Sequence, residues 1–82
     1  MNENTVRRIK LSELRAIKSE LVVKIKSDLK NISSLLALAS VVPLEGLNLK
    51  EVKRLADDAW ESYQEFIAVS EGINILRGEI GE

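Results

Sequence analysis

The chain has 82 residues, a formal net charge of −1, and neither cysteine nor histidine. This length allows one domain, residues 1–82, and the missing residue types exclude disulfides, thiolate or imidazole metal ligands and catalysis by histidine. The longest apolar run is about half of the ~20 residues that a membrane span needs. We therefore predict a cytoplasmic protein with no signal peptide, no membrane span and no cofactor.

The two halves of the chain carry opposite charge. Residues 1–42 contain eight Lys or Arg against four Asp or Glu, whereas residues 43–82 contain four against nine. Such asymmetry indicates either an outside partner of opposite sign or two halves that attract each other.

Apolar residues recur at a helical spacing in the first half. The stripe consists of Leu14, Ile17, Leu21, Ile25, Leu29, Ile32, Leu36 and Ala39. We predict one helix over about residues 5–42, capped by Thr5 or Ser12 and ended by Pro43, which disfavours helical backbone in the residue before it. Because Asn and Ser at 31–34 offer the backbone competing hydrogen bonds, a break there and a three-helix bundle are the alternative.

Asn48 marks the start of a second helix. Its side chain can accept a first-turn N–H, and Glu51 stands three residues on, where a capping box requires it. A 3-4 repeat of the coiled-coil kind then follows, with members Val52, Leu55, Ala59, Ser62, Phe66, Val69, Ile73 and Leu76. Arg77 and Gly78 indicate the end of this helix, so we predict a helix over residues 49–77.

A short turn between two long helices predicts an antiparallel hairpin. With the turn near residue 45, the expected neighbours across the hairpin are Lys26 and Glu65, Lys18 and Glu71, and Lys10 and Glu79. Lys24 and Asp28 interrupt the stripe of the first helix. We predict that both reach past its edge rather than form a buried pair that fixes the register.

More apolar residues stand outside the two stripes than one hairpin can cover. The residues predicted to contact a partner are Val23, Leu35, Leu38, Val41, Val42, Trp60 and Ile67. A contiguous exposed apolar patch usually marks an interface. We therefore predict that two hairpins pair into a dimeric four-helix bundle, or that one hairpin docks on a larger helical partner. The alternative is a monomer in which residues 35–42 fold between the helices.

These features predict a small protein–protein interaction module that acts through helix–helix packing and has no enzymatic activity. The first alternative is a nucleic-acid-associated regulator that uses a basic arc of roughly 120° on the first helix. The members of this arc are Arg8, Arg15, Lys18, Lys26 and Lys30. No aromatic residue is interleaved with them, so a protein partner is the favoured interpretation.

An acidic run in the second helix supplies the second alternative, a Mg²⁺-dependent nucleotide hydrolase. The run is Asp57-Asp58-x-x-Glu61. It is similar to the acidic run with which helical nucleotide pyrophosphohydrolases of the MazG type hold Mg²⁺. Those enzymes have a further Glu-x-x-Asp run on the next helix, whereas Glu71 is here followed three positions on by Asn74. A solvated acidic face is therefore the favoured interpretation.

Overall fold

Two long helices, α1 (Glu3–Leu36) and α2 (Leu49–Ile80), pack against each other in the computed structural model, which describes residues 2–82. A short 3₁₀ turn, Leu44–Gly46, lies in their connection, and the described residues form no strand. The predicted all-α hairpin is therefore confirmed. The hairpin is a rod 62 Å long with a cross-section of 17 by 14 Å.

The start of α1 differs from the prediction. Asn2 caps the helix, because its side chain accepts a hydrogen bond from the backbone N–H of Thr5 at 2.8 Å. The prediction that Thr5 or Ser12 is the cap is therefore wrong. Asn is a strong N-cap residue, and it stands early enough to add a further turn of helix.

The segment 31–34 does not interrupt α1. The Ser34 hydroxyl donates to the carbonyl of Lys30 within the helix at 3.1 Å, so its hydrogen bond is made inside the helix instead of competing with it. The three-helix alternative is therefore not the observed fold.

The end of α1 lies at Leu36, six residues before the predicted end. Residues 37–42 form successive turns, in which Ala39 N–H donates to Leu36 and Val41 N–H donates to Leu38. The reason lies in the register of the hairpin, which places the end of α1 beside the start of α2 at Leu49. A longer α1 would extend past the start of α2 and pack against nothing. Most of the stability of a helix in a protein comes from packing against other elements, so the unpacked extension does not form.

The start of α2 agrees with the prediction, since the Asn48 side chain accepts from the backbone N–H of Glu51 at 3.1 Å. The Glu51 carboxylate pairs with Arg54 rather than with the cap. The helix ends at Gly81, about one turn later than predicted, and Gly81 takes the left-handed conformation with φ +88°. Gly78 was expected to end the helix in this way, but Gly81, the next glycine along the chain, does so instead.

The contact between the helices follows a 3-4 repeat on both sides. On α2 the buried residues are five members of the predicted repeat, Leu55, Ala59, Ser62, Ile73 and Leu76. On α1 the repeat runs through residues that are buried or half-buried, namely Leu11, Leu14, Lys18, Leu21, Ile25, Asp28, Ile32 and Leu35. We call these two rows of residues the seam.

The seam of α1 is shifted from the predicted stripe, so that Ile17, Leu29 and Leu36 are exposed. A contact line that stays on one neighbouring helix repeats every 3.5 residues, whereas the predicted stripe repeats every 3.6 and drifts off that line.

The register of the hairpin also differs from the prediction. Leu14 packs over Gly72, where an added Cβ would lie 3.4 Å from the Leu14 Cδ1 atom. Ion pairs join Arg7 to Glu79 at 3.2 Å and Lys24 to Asp58 at 3.4 Å.

Opposite residues thus lie about one turn from the predicted positions. The salt bridges between Lys26 and Glu65, Lys18 and Glu71, and Lys10 and Glu79 do not form among residues 2–82.

Candidate interaction groove

The two helices leave a shallow apolar groove along one side of the seam. It is lined by Val22, Ile25, Leu29 and Ile32 from α1 and by Ala56, Ala59, Trp60, Tyr63 and Phe66 from α2. We call this surface the apolar groove. The side chain stem of Lys26 borders it.

Large apolar side chains of the groove lie open to solvent. Trp60 is 62 % exposed and Leu29 is 53 % exposed. The rings of Trp60 and Tyr63 are 6.2 Å apart, as are those of Tyr63 and Phe66, so the aromatic side chains form a row along the α2 wall. A contiguous exposed apolar patch of this kind usually marks a binding surface.

Basic residues border the apolar groove toward the N-terminal end of α1. The Lys18 ammonium lies 5.4 Å from the centre of the Phe66 ring, a cation–π contact. Arg8 and Arg15 precede Val22 by two heptads and one heptad, and therefore lie on the same side of α1. Arg15 forms an ion pair with Glu82 at 3.7 Å.

The opposite side of the seam is polar. Lys24 pairs with Asp58 there, and Glu51 pairs with Arg54. A second depression on this side is lined by Asn31, Ser34, Leu35, Glu51, Arg54 and Leu55. The ion pairs on this side join residues of the hairpin to each other, whereas no other segment of residues 2–82 covers the apolar groove.

Asp28 lies in the seam and is only 8 % exposed, with no hydrogen-bond partner for its Oδ2 atom among the described residues. Asp58 raises the pKa of Asp28, because protonated Asp28 can donate a hydrogen bond to the Asp58 carboxylate; burial and the charge of Asp58 act in the same direction. The same hydrogen bond holds the pKa of Asp58 below its usual range, and Lys24 lowers it further.

The prediction that Asp28 reaches past the seam edge is therefore wrong, since its side chain is too short to do so. Lys24 does lie outside the seam with its side chain 55 % exposed, as predicted from its long flexible stem.

The predicted partner residues fall into separate places. Trp60 lies in the apolar groove, and Ile67 follows it by one heptad on the same side of α2. Val23 is 70 % exposed but lies on the outer side of α1, about 200° from both Leu21 and Ile25 at 100° per residue.

The other predicted partner residues lie at the connection end. Leu38 and Val41 are exposed, Val42 is half-buried beside Gly46, and Leu35 is half-buried in the seam. The exposure of Leu38, Val41 and Trp60 means that residues 35–42 do not fold between the helices of one chain.

Sequence reasoning missed part of the groove. Leu29, Ile25 and Ile32 line it, although the sequence placed all three in the stripe against the second helix. Recognising a 3.5-residue repeat in α1 would have moved Leu29 to the flank.

The acidic run of α2 does not converge on a metal site. Asp57 pairs with Lys53 at 2.8 Å, Asp58 pairs with Lys24, and Glu61 is exposed. Within the described part of the chain, no three acidic, histidine or cysteine side chains are placed to share one ion.

Neither helix of residues 2–82 is long and apolar enough to cross a bilayer. No protein-family model matches the chain, and no significant match was found among curated proteins or solved structures.

Proposed function

We propose that this protein is a small protein–protein interaction module whose apolar groove accepts a helix. The observation that carries the proposal is the open groove itself, in which Trp60, Tyr63 and Leu29 stand exposed above a floor of aliphatic side chains. An amphipathic helix that lies in such a groove buries its own apolar face and the groove together.

The surface area of the chain supports this proposal. The hairpin exposes 6124 Å². A compact monomer of this mass exposes about 4,900 Å², so the excess is about 1,200 Å². A stable interface covers about 800 Å² on each partner. Either a second hairpin in a four-helix bundle or a helix of a larger protein supplies that cover.

Site-specific photo-crosslinking in the native host tests the proposal. A benzophenone amino acid replaces Tyr63 in the groove or, as the matched control, Val23 on the outer side of α1. We expect a discrete protein adduct from position 63 and little or none from position 23. Peptide mapping of the adduct then identifies the helix that occupied the groove.

Light scattering of the purified chain at low micromolar concentration completes the test. A chain that is monomeric, unfolds in one cooperative step and yields no adduct from position 63 would contradict the proposal, because its groove would need no cover.

A further inference from the structure

The identity of the groove's occupant, which rests on the proposed function, follows from the charges around the groove. By heptad position, the cations on the groove side are Arg8, Arg15, Lys18, Lys26, Lys53 and Arg77. Lys53 belongs to this set because it precedes Trp60 by one heptad, and Arg77 because it follows Tyr63 by two. The helical positions of this side, on both α1 and α2, contain no acidic residue.

Three of these cations are already in contact with other groups. Arg15 pairs with Glu82, Lys53 pairs with Asp57, and Lys18 lies over Phe66. Lys26, which borders the groove directly, forms no ion pair with any residue of 2–82. Arg8 and Arg77, near the end of the rod where α1 begins, also form no ion pair with any residue of 2–82. The groove side therefore carries uncompensated positive charge.

The acidic residues lie mainly on the opposite side of the seam. Heptad positions place there Glu13, Glu20, Glu51, Asp58 and Glu65. The hairpin thus has an apolar side with a basic border and a polar side with acidic residues, although its net charge is only −1.

We propose that the occupant of the apolar groove is an amphipathic helix of a different protein, with an apolar stripe and acidic residues along its polar flanks. Such a helix fills the groove with aliphatic side chains and places carboxylates beside Lys26 and Lys53. Opposite charges across an interface select the partner and speed its association.

A second copy of this chain fits the groove less well. In a two-fold dimer each copy presents the same surface, so the basic border of one groove would meet that of the other, and like charges that face each other disfavour binding. The opposite side of a second copy has acidic residues, but it offers the ion pairs of Lys24 and Arg54 where the groove needs apolar side chains.

A single-stranded nucleic acid fits the cations but not the floor of the groove. Bases stack on exposed aromatic faces, whereas here Tyr63 stacks on Phe66 with 16° between the ring planes and Lys18 lies over the Phe66 ring. The remaining floor is aliphatic. It therefore favours Leu or Ile side chains over bases.

Two synthetic peptides test the charge preference. Each is a helix of three heptads, about 32 Å long, with the same apolar stripe, no tryptophan, and either Glu or Lys at every flanking position. Like charges on the flanks keep each peptide from pairing with itself. Trp60 is the single tryptophan of the chain, so its fluorescence reports binding at the groove.

At low salt we expect the Glu-flanked peptide to bind the full chain in a 1:1 complex, about tenfold tighter than the Lys-flanked peptide. The difference should shrink at high salt, because exposed charges are screened. The double variant K26E/K53E should lose the preference. The matched control K30E/K50E changes the net charge equally, but on the outer sides of the helices, and should keep it.

Failure of this inference can be distinguished from failure of the proposed function. Equal binding of both peptides that is lost in Leu29→Glu overturns the acidic partner and leaves the helix-accepting groove in place. If K26E/K53E leaves the binding of the Glu-flanked peptide unchanged, the acidic partner is also overturned. If neither peptide binds and the position-63 adduct is a second copy of the chain, the occupant is the chain itself. Binding of a dT20 oligonucleotide that K26E/K53E abolishes would assign the groove side to nucleic acid.

Discussion

At the scale of single residues, Asp28 stands where the repeat of α1 calls for an apolar side chain. It is buried, and its Oδ2 atom lacks a hydrogen-bond partner among residues 2–82. A buried acceptor without a partner costs about 1–3 kcal/mol of folding free energy. A hydrogen bond from protonated Asp28 to the Asp58 carboxylate raises the pKa of Asp28. Asp28 therefore reduces the stability of the hairpin at neutral pH.

Asp28→Asn should raise the free energy of unfolding by about 1 kcal/mol at pH 7, because the amide can donate to the Asp58 carboxylate without burying a charge. Chemical denaturation measures the difference. The control is Asp57→Asn at an exposed ion pair with Lys53, which should change stability by less than about 0.5 kcal/mol. A destabilised Asp28→Asn variant would show that the charge of Asp28 supports the fold.

The raised pKa of Asp28 should also make the stability of the hairpin depend on pH. Above the ordinary value of 3.8, unfolded Asp28 loses its proton while the raised pKa keeps the proton on the folded chain. The folded state then binds more protons, so this residue makes the hairpin more stable as the pH falls from neutral toward 3.8. Below 3.8 the lowered pKa of Asp58 acts in the opposite sense. Asp28→Asn should remove the gain in stability between neutral pH and pH 3.8. Denaturation midpoints measured over a series of pH values would show this loss.

At the scale of the elements, the glycines of α2 have different roles. Gly78 lies inside the helix with nothing within 4 Å of an added Cβ, whereas Gly81 ends the helix at φ +88°. A side chain at Gly78 meets open space and favours helical backbone. A side chain at Gly81 is forced into the left-handed region, which only glycine adopts at low cost.

Gly78→Ala should therefore stabilise the hairpin by about 1 kcal/mol, and Gly81→Ala should destabilise it by about 1 kcal/mol. Each variant serves as the control for the other, since both replace Gly by Ala at positions only three residues apart. Equal shifts of the denaturation midpoint in one direction would mean that α2 does not end at Gly81.

The sequence was sufficient for α2 because its cap and its repeat agree. Asn48 begins the helix as predicted, and the seam residues of α2 are those of the predicted repeat. In α1 the polar residues Lys18 and Asp28 occupy seam positions and hide the 3.5-residue repeat. The predicted stripe therefore placed the apolar residue Leu29 in the seam. Among the residues that line the groove, only Trp60 was predicted to contact a partner. The end of α1 could not be predicted from its own residues, because it depends on the register in which α1 packs against α2.

At the scale of the whole molecule, the hairpin is a rod and not a globule. The Cα radius of gyration is 18.5 Å, whereas a compact chain of this length has about 12 Å. Each helix packs along one line only, which is why so much apolar surface stays open.

Small-angle X-ray scattering should return a radius of gyration near 18.5 Å, with the forward scattering giving the mass of the scattering species. A side-by-side pair of hairpins keeps nearly the same radius at twice the mass, because the length of the rod dominates. A value near 12 Å would instead indicate that the helices have broken and folded into a compact bundle.

The antiparallel arrangement also brings both ends of the described chain together. Arg7 contacts Glu79 and Arg15 contacts Glu82, so Asn2 and Glu82 lie toward the same end of the rod. Leu29 in the groove is about 39 Å along α1 from its first residue. A fluorescent label or a fusion domain attached at either terminus would thus leave the groove unobstructed, and labels at both termini would report separation of the helices by energy transfer.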